Sequence, residues 1–132
     1  MLYNVAIALR DREDIQCVRT IVETMSFSFH AVLIPLDAQK IENQMKDGRV
    51  DLLILDLADR EIGQLAEDLR QTYPGLWMIL LDSGQAGAPG FAGDGRSVLL
   101  QKPISTMRML HALHTAAAGL SQEDAALSPE KA

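Results

Sequence analysis

Apolar residues in this chain occur in two arrangements: short uninterrupted runs, and recurrences at three- or four-residue spacing. The runs predict buried strands, and the recurrences predict helices with one buried face. The predicted strands cover residues 3–9, 30–35, 50–57, 76–81 and 98–100. The predicted helices cover residues 15–25, 38–46, 62–73 and 106–120. Asp14, Asp37 and Ser105 are the expected N-caps of the first, second and last helices, because each precedes a helical pattern and carries a side-chain acceptor.

The order of these elements predicts an α/β fold. Strands and helices alternate along the chain, and the strands are apolar throughout instead of alternating with polar residues. A strand of this kind is buried on both faces, which is typical of a parallel sheet covered by helices on each side. We therefore expect a doubly wound five-stranded parallel sheet. In such folds, sites lie at the carboxyl ends of the strands.

A glycine-rich segment separates the last two predicted strands. Residues 82–97 read DSGQAGAPGFAGDGRS, with five glycines and one proline. Glycine costs about 1 kcal/mol and proline about 3 kcal/mol inside a helix, so a full helix is not expected here. We predict a shortened or missing fourth helix, with at most one or two helical turns around Ala86–Phe91. The glycine spacing does not match a phosphate-binding loop.

Composition narrows the class of protein. The 132 residues carry 12 basic and 18 acidic side chains, a formal charge of −6. This balance argues against nucleic acid or an anionic membrane as a direct partner. The single cysteine, Cys17, excludes an intramolecular disulfide. It lies beside Val18 on the core-facing side of the first helical pattern and is expected to be a buried, inert thiol. No apolar run is long enough for a membrane span or signal peptide, so a cytoplasmic protein is expected.

Charged residues follow the predicted strands at their carboxyl ends. They are Arg10 and Asp11, Asp56, Asp82 and Lys102. Each alone is a plausible solvated strand end. Because the carboxyl ends of parallel strands share one rim of the sheet, the set is a candidate site.

The chain resembles the receiver domain of two-component response regulators over residues 3–120. The resemblance rests on VDLLILDL, which ends at Asp56 and Leu57, on QKP at residues 101–103, and on the five alternating strands. It implies a flavodoxin-like sheet of order 2-1-3-4-5, Asp56 as the phosphoacceptor and Lys102 as the partner of the phosphoryl oxygens. It also implies a bound Mg²⁺ that neutralises charge during phosphoryl transfer. The polar residues 121–132 are expected to form a flexible tail or the start of a linker.

The resemblance is incomplete at the site. The family ends its first strand with two acidic metal ligands, where this chain has Leu9 and Arg10, or Arg10 and Asp11 if the strand bulges. Asp11 and Asp56 are then the remaining candidate metal ligands, and the guanidinium of Arg10 is a candidate to replace the metal by pairing with Asp56. Asp82 stands where the family has a threonine or serine, and Ser83 replaces that hydroxyl only with a register shift. An alternative reading of the pair is a structural ion pair between Asp56 and Lys102, with Arg10 as a second partner of Asp56.

These departures indicate an atypical receiver, or pseudo-receiver. Such a module acts through protein–protein contacts, with weak or no phosphorylation at Asp56. The alternative is a functional Mg²⁺-dependent receiver phosphorylated on Asp56 by a histidine kinase. An aspartate-nucleophile phosphatase is disfavoured, because Ala58 stands where its general acid is needed. A flavin or nucleotide carrier is disfavoured by the charged RDRED segment after the first strand. With the phosphatase also disfavoured, no enzyme activity is expected.

The last predicted helix has two apolar faces. One is expected to be buried and holds Met109, Leu113, Ala116 and Leu120. The second, with Met107, Leu110 and His114, is a candidate interface for a histidine kinase or an effector domain, or for a homodimer. Ordinary surface is the competing reading of this second face. His111 and His114 lie three residues apart, but without a third ligand they make a weak metal site.

Overall fold

The computed structural model describes residues 2–84, 90 and 94–126. It contains five strands: β1 Tyr3–Ala8, β2 Phe29–Leu33, β3 Leu52–Leu57, β4 Trp77–Asp82 and β5 Ser97–Gln101. It also contains four helices: α1 Arg12–Glu23, α2 Ala38–Asp47, α3 Arg60–Thr72 and α4 Thr106–Ala126. The strands pair in parallel in the order β2-β1-β3-β4-β5. The predicted fold class and strand order are therefore confirmed.

The core lies on both faces of the sheet. On one face, α1 and α4 cover the sheet with side chains such as Val18 and Met109. On the other face, α2 and α3 do so with side chains such as Ile41 and Leu65. Successive residues of β3 belong to alternate faces, and every residue of this central strand is at most 1% exposed. This burial explains why the strand reads as a continuous apolar run.

Two helix boundaries differ from the sequence expectation. The first helix is capped at Asp11, three residues before the predicted cap Asp14, and the Asp11 side chain makes no capping hydrogen bond. The polar and charged residues 12–14 form its first turn, which apolar spacing does not reveal. The last helix does not end at Gly119–Leu120 but continues to Ala126. Its added turn is held by an ion pair of 2.6 Å between Glu123 and Arg96.

The predicted caps of the second and last helices are confirmed. The Asp37 carboxylate accepts a hydrogen bond from the backbone N–H of Lys40. The Ser105 hydroxyl accepts one from the backbone N–H of Arg108. The division into a domain at 1–120 and a tail at 121–132 stays a prediction, and residues 127–132 lie outside the described part of the chain.

The segment between β4 and β5 shows no helix in its described residues, 83–84, 90 and 94–96. The helical turns predicted around Ala86–Phe91 fall, apart from Gly90, outside the described residues. Arg70 of α3 fixes the far end of this segment: its guanidinium donates to the Ser97 hydroxyl over 2.8 Å and pairs with Asp94 over 2.8 Å. Burial lowers the pKa of Arg70, an effect that Asp94 opposes.

Candidate functional site

Asp56 lies at the carboxyl end of the central strand β3 and is almost completely buried, at 1% exposure. Its Oδ2 accepts a hydrogen bond from the Lys102 ammonium over 2.6 Å. The same oxygen accepts one from the backbone N–H of Arg10 over 3.3 Å. A buried carboxylate without such partners would be strongly destabilising. The contact between Asp56 and Lys102 expected from the sequence is therefore present.

Lys102 follows β5, and its ammonium is surrounded by acidic side chains. Besides Asp56, the nitrogen lies 3.1 Å from Oδ2 of Asp14 and 3.9 Å from Oδ2 of Asp11. Burial alone would lower the pKa of Lys102, but hydrogen bonds to Asp56 and Asp14 outweigh burial and raise that pKa above its ordinary value. Three carboxylates thus share one cation at this end of the sheet.

Asp14 is a site residue that the sequence reasoning missed. It was assigned as a helix cap, whereas it lies in the first turn of α1 and forms an ion pair with Lys102. The signal that would have found it is its place in the chain. The helix that follows β1 begins at the edge of the sheet where β3 and β5 end. An acidic residue in its first turn is therefore close to the ends of both strands.

The Arg10 side chain does not occupy the position suggested by the sequence. Its guanidinium lies 3.9 Å from Oδ2 of Asp59, the N-cap of α3, and is about half exposed. Only the backbone N–H of Arg10 reaches Asp56. The expected ion pair between the Arg10 guanidinium and Asp56 is not formed, because the guanidinium lies against Asp59 at the start of α3 instead.

Asp82 belongs to the opposite face of the sheet from Asp56. Paired residues of neighbouring strands point to the same face, and Asp82 pairs with Leu57 whereas Asp56 pairs with Leu81. The Asp82 carboxylate accepts from the backbone N–H of Gly84 over 2.7 Å and from the Gln101 amide over 3.3 Å. The resemblance implied that the Asp82 carboxylate faces a phosphoryl group on Asp56. The register places Asp82 on the other face of the sheet instead. By the same alternation, Ser83 is the residue that follows β4 on the Asp56 face.

The described residues do not fit a resident divalent cation. Among them, no three histidine, cysteine, aspartate or glutamate side chains are arranged to hold a metal ion. Mg²⁺ needs oxygen ligands in near-octahedral geometry. Here the carboxylate oxygens of Asp56, Asp14 and Asp11 turn towards the Lys102 ammonium instead.

The surface of α4 contains the second candidate region. Met109, Leu113, Ala116 and Leu120 are buried, as predicted. Met107 is 76% exposed and His114 is exposed, whereas Leu110 is half-buried. Leu110 forms part of a groove of about 510 Å³ between α1 and α4. Cys17 is half-buried and lines the same groove, so it is less enclosed than expected.

Solved structures similar to this chain include receiver domains of response regulators. A CheY-like response regulator receiver domain from Methanospirillum hungatei has a TM-score of 0.74 and 17% identity, covering 93% of this chain and 99% of its own. The signal receiver domain of an HD domain-containing protein from Pseudomonas fluorescens has a TM-score of 0.73 and 20% identity, covering 92% and 99%. The chain has the fold of a receiver domain. The receiver domain of the response regulator AraT from Geobacillus stearothermophilus has a TM-score of 0.71 and 20% identity, covering 94% and 99%.

These similarities establish the receiver fold and leave the activity to be argued from the site. No family model matches the chain, and no curated protein matches it. No helix in the described part of the receiver fold is long and apolar enough to cross a membrane.

Proposed function

We propose that this chain is a signalling module of the response-regulator receiver type that acts in the cytoplasm by binding another protein, with weak or no phosphorylation at Asp56. The observation that carries the proposal is the enclosure of the Lys102 ammonium by Asp56, Asp14 and Asp11. The receiver fold supplies the scaffold, and this altered rim argues against ordinary phosphoacceptor chemistry.

The charge of the rim disfavours transfer of a phosphoryl group to Asp56. The three carboxylates and the one ammonium sum to −2, and a phosphodonor brings further negative charge on its phosphoryl oxygens. Attack by a carboxylate on a phosphoryl group needs cations that neutralise this charge. Among the described side chains, Lys102 is the only cation that forms an ion pair with Asp56, and it is already shared by three acids.

Access to Asp56 is a second argument. Its carboxylate is buried, and Oδ2 is held by both Lys102 and the backbone of Arg10. The burial of this carboxylate, at 1% exposure, therefore restricts the approach of a phosphodonor. In the proposed function, the pair instead fixes β3 to the end of β5, and through it to the start of α4.

The alternative function is a Mg²⁺-dependent receiver phosphorylated on Asp56 by a histidine kinase. The contact of 2.6 Å between Lys102 and Asp56 favours it, because an ammonium at this position is able to pair with phosphoryl oxygens. In this alternative, Asp56 and Asp11 would hold the Mg²⁺, and Ser83, on the same face as Asp56, would contact the phosphoryl group. Lys102 would then have to leave its contact with Asp14.

The proposed output is a protein contact through Met107, Leu110 and His114 of α4. The exposed, flexible side chain of Met107 next to the half-buried Leu110 supports this assignment, because methionine adapts its shape to a partner. One structural neighbour is the receiver domain of an HD domain-containing protein, which supports an effector domain as the class of partner. A histidine kinase is the partner class in the alternative function.

An amide NMR fingerprint tests the proposal. Mg²⁺ is added first and then beryllium fluoride, which mimics an aspartyl phosphate. We expect no resonance shifts at Asp56, Ser83 or Lys102, while a receiver that binds beryllium fluoride serves as the positive control. Large shifts at these residues that are lost in Asp56→Ala would overturn the proposal in favour of the phosphoacceptor.

A further inference from the structure

The groove between α1 and α4 has a recess and a projecting side chain on the same surface. Its walls include Cys17, Thr20 and Ile21 from α1, and Thr106 and Leu110 from α4. Met107 lies beside these α4 residues on the helix surface and is 76% exposed. A recess of about 510 Å³ is large enough to receive a methionine side chain.

We propose that this surface binds a second copy of the chain, with Met107 of each copy inserted into the α1–α4 groove of the other. A two-fold interface uses the same patch on both subunits, so it requires a projection and a matching recess within one patch. The surface described above meets that requirement. The inference rests on the proposed role as a protein-binding module and names the first partner of the α4 surface.

The charges of the two helices agree with this arrangement. From Thr106 to Gln122, α4 carries no carboxylate, and Arg108 is exposed in its first turn. Glu13 is exposed in the first turn of α1 and lines the groove. Within the described residues, neither Glu13 nor Arg108 forms an ion pair.

A two-fold axis parallel to the groove brings these charges together. Both helices begin at the same rim of the sheet, so their first turns stand at the same level in both copies. The α4 helix of one copy then faces the α1 helix of the other, and Arg108 of one approaches Glu13 of the other. Opposite charges at such an interface set its register.

Sedimentation equilibrium of the 132-residue chain, from about 10 µM to about 1 mM, tests the pairing. The wild type is expected to dimerise without Mg²⁺ or a phosphodonor, and Met107→Glu is expected to weaken the dimer at least about tenfold. Phe27→Glu is the matched control, because Phe27 is 78% exposed and lies in the turn before β2, outside the groove. A wild type that stays monomeric throughout, or a dimer that Met107→Glu leaves intact, overturns the inference.

Charge reversal and cross-linking test the arrangement within the dimer. Glu13→Arg is expected to weaken the dimer, and adding Arg108→Glu is expected to restore it. Oxidation of Met107→Cys by copper phenanthroline is expected to join that position to Cys17 of the other copy. The covalent dimer should disappear when Cys17→Ser is added. This geometry is rejected if Arg108→Glu does not restore the dimer and if the cross-link still forms in the presence of Cys17→Ser.

The two proposals fail in distinguishable ways. Dimerisation is measured without Mg²⁺ and phosphodonor, so a chain that proves to be a phosphoacceptor in the NMR experiment still reveals whether the groove pairs. If the chain is monomeric and the NMR experiment shows no shifts at Asp56 and Lys102, only the second copy is rejected as the partner. Capture of a different protein by the Met107 surface would then identify the occupant.

Discussion

Asp56 and Lys102 are 46 residues apart in the chain, and their side chains meet over 2.6 Å at one end of the sheet. The contact joins the central strand to the strand at one edge. The two side chains depend on this contact to different degrees. Without it, Asp56 keeps only the hydrogen bond from the backbone of Arg10, whereas Lys102 keeps the Asp14 carboxylate. The two residues should therefore respond differently to substitution.

Lys102→Met is expected to destabilise the protein by about 3 kcal/mol, because it leaves the buried Asp56 carboxylate without its cation. Asp56→Asn is expected to cost only about 1 kcal/mol, since the amide still accepts from Arg10 and Lys102 still pairs with Asp14. Urea unfolding measures both. The double variant should lose less free energy of unfolding than the two single variants lose together. If the losses are additive, the two side chains are not directly coupled.

Stability should fall in the alkaline range. The folded pKa of Lys102 is raised, so its ion pairs contribute fully below the unfolded pKa of lysine and are lost as pH rises through the folded pKa. The difference in free energy of unfolding between the wild type and Lys102→Met should therefore narrow as pH rises past the ordinary pKa of lysine. A constant difference across that range would assign the effect of Lys102 to packing instead of charge.

Arg10→Asp is expected to raise the affinity for Mg²⁺. The substitution removes a cation from the rim and adds a carboxylate at a residue whose backbone N–H already contacts Asp56. Titration calorimetry measures the change. Arg12→Asp makes the same charge change on the exposed first residue of α1 and is the control. Equal affinities in the two variants would show that only net charge matters.

Two helical glycines should respond oppositely to alanine. A Cβ on Gly119 would overlap the indole ring of Trp77, whereas a Cβ on Gly63 in α3 meets nothing within 4 Å. Gly119→Ala is expected to destabilise by about 1–3 kcal/mol, because α4 must move off β4. Gly63→Ala is expected to stabilise by up to about 1 kcal/mol.

Trp77 is the single tryptophan of the chain, so its fluorescence reports the first change directly. Its emission should shift in Gly119→Ala and stay constant in Gly63→Ala. Unfolding curves that change equally in both variants would show that helix propensity, and not the contact with Trp77, governs residue 119.

The sequence was sufficient for the sheet and for half of the site. Apolar runs located all five strands, and the rule that parallel strands end at one rim predicted the meeting of Asp56 and Lys102. Asp14 was missed because its role depends on where α1 begins, and polar first turns leave no mark on apolar spacing.

Asp82 was assigned to the wrong face for a related reason. The resemblance matched Asp82 to the hydroxyl residue at the end of the family's fourth strand. In the structure Asp82 pairs with Leu57 and not with Asp56, and a difference of one residue in register moves a side chain to the opposite face. Its contacts with Gly84 and Gln101 therefore became visible only in three dimensions.

The complete burial of β3 has a consequence for hydrogen exchange. Amides of a central strand covered on both faces exchange only when the whole domain opens, so their protection equals the global free energy of unfolding. Asp56 is part of that strand, whereas Met107 lies near the start of an exposed helix surface. Slow amide hydrogen exchange at Asp56 and fast exchange around residue 107 would therefore distinguish two regions. The rim around Asp56 would open only when the whole domain unfolds, whereas the surface around Met107 would be free to adapt to its partner.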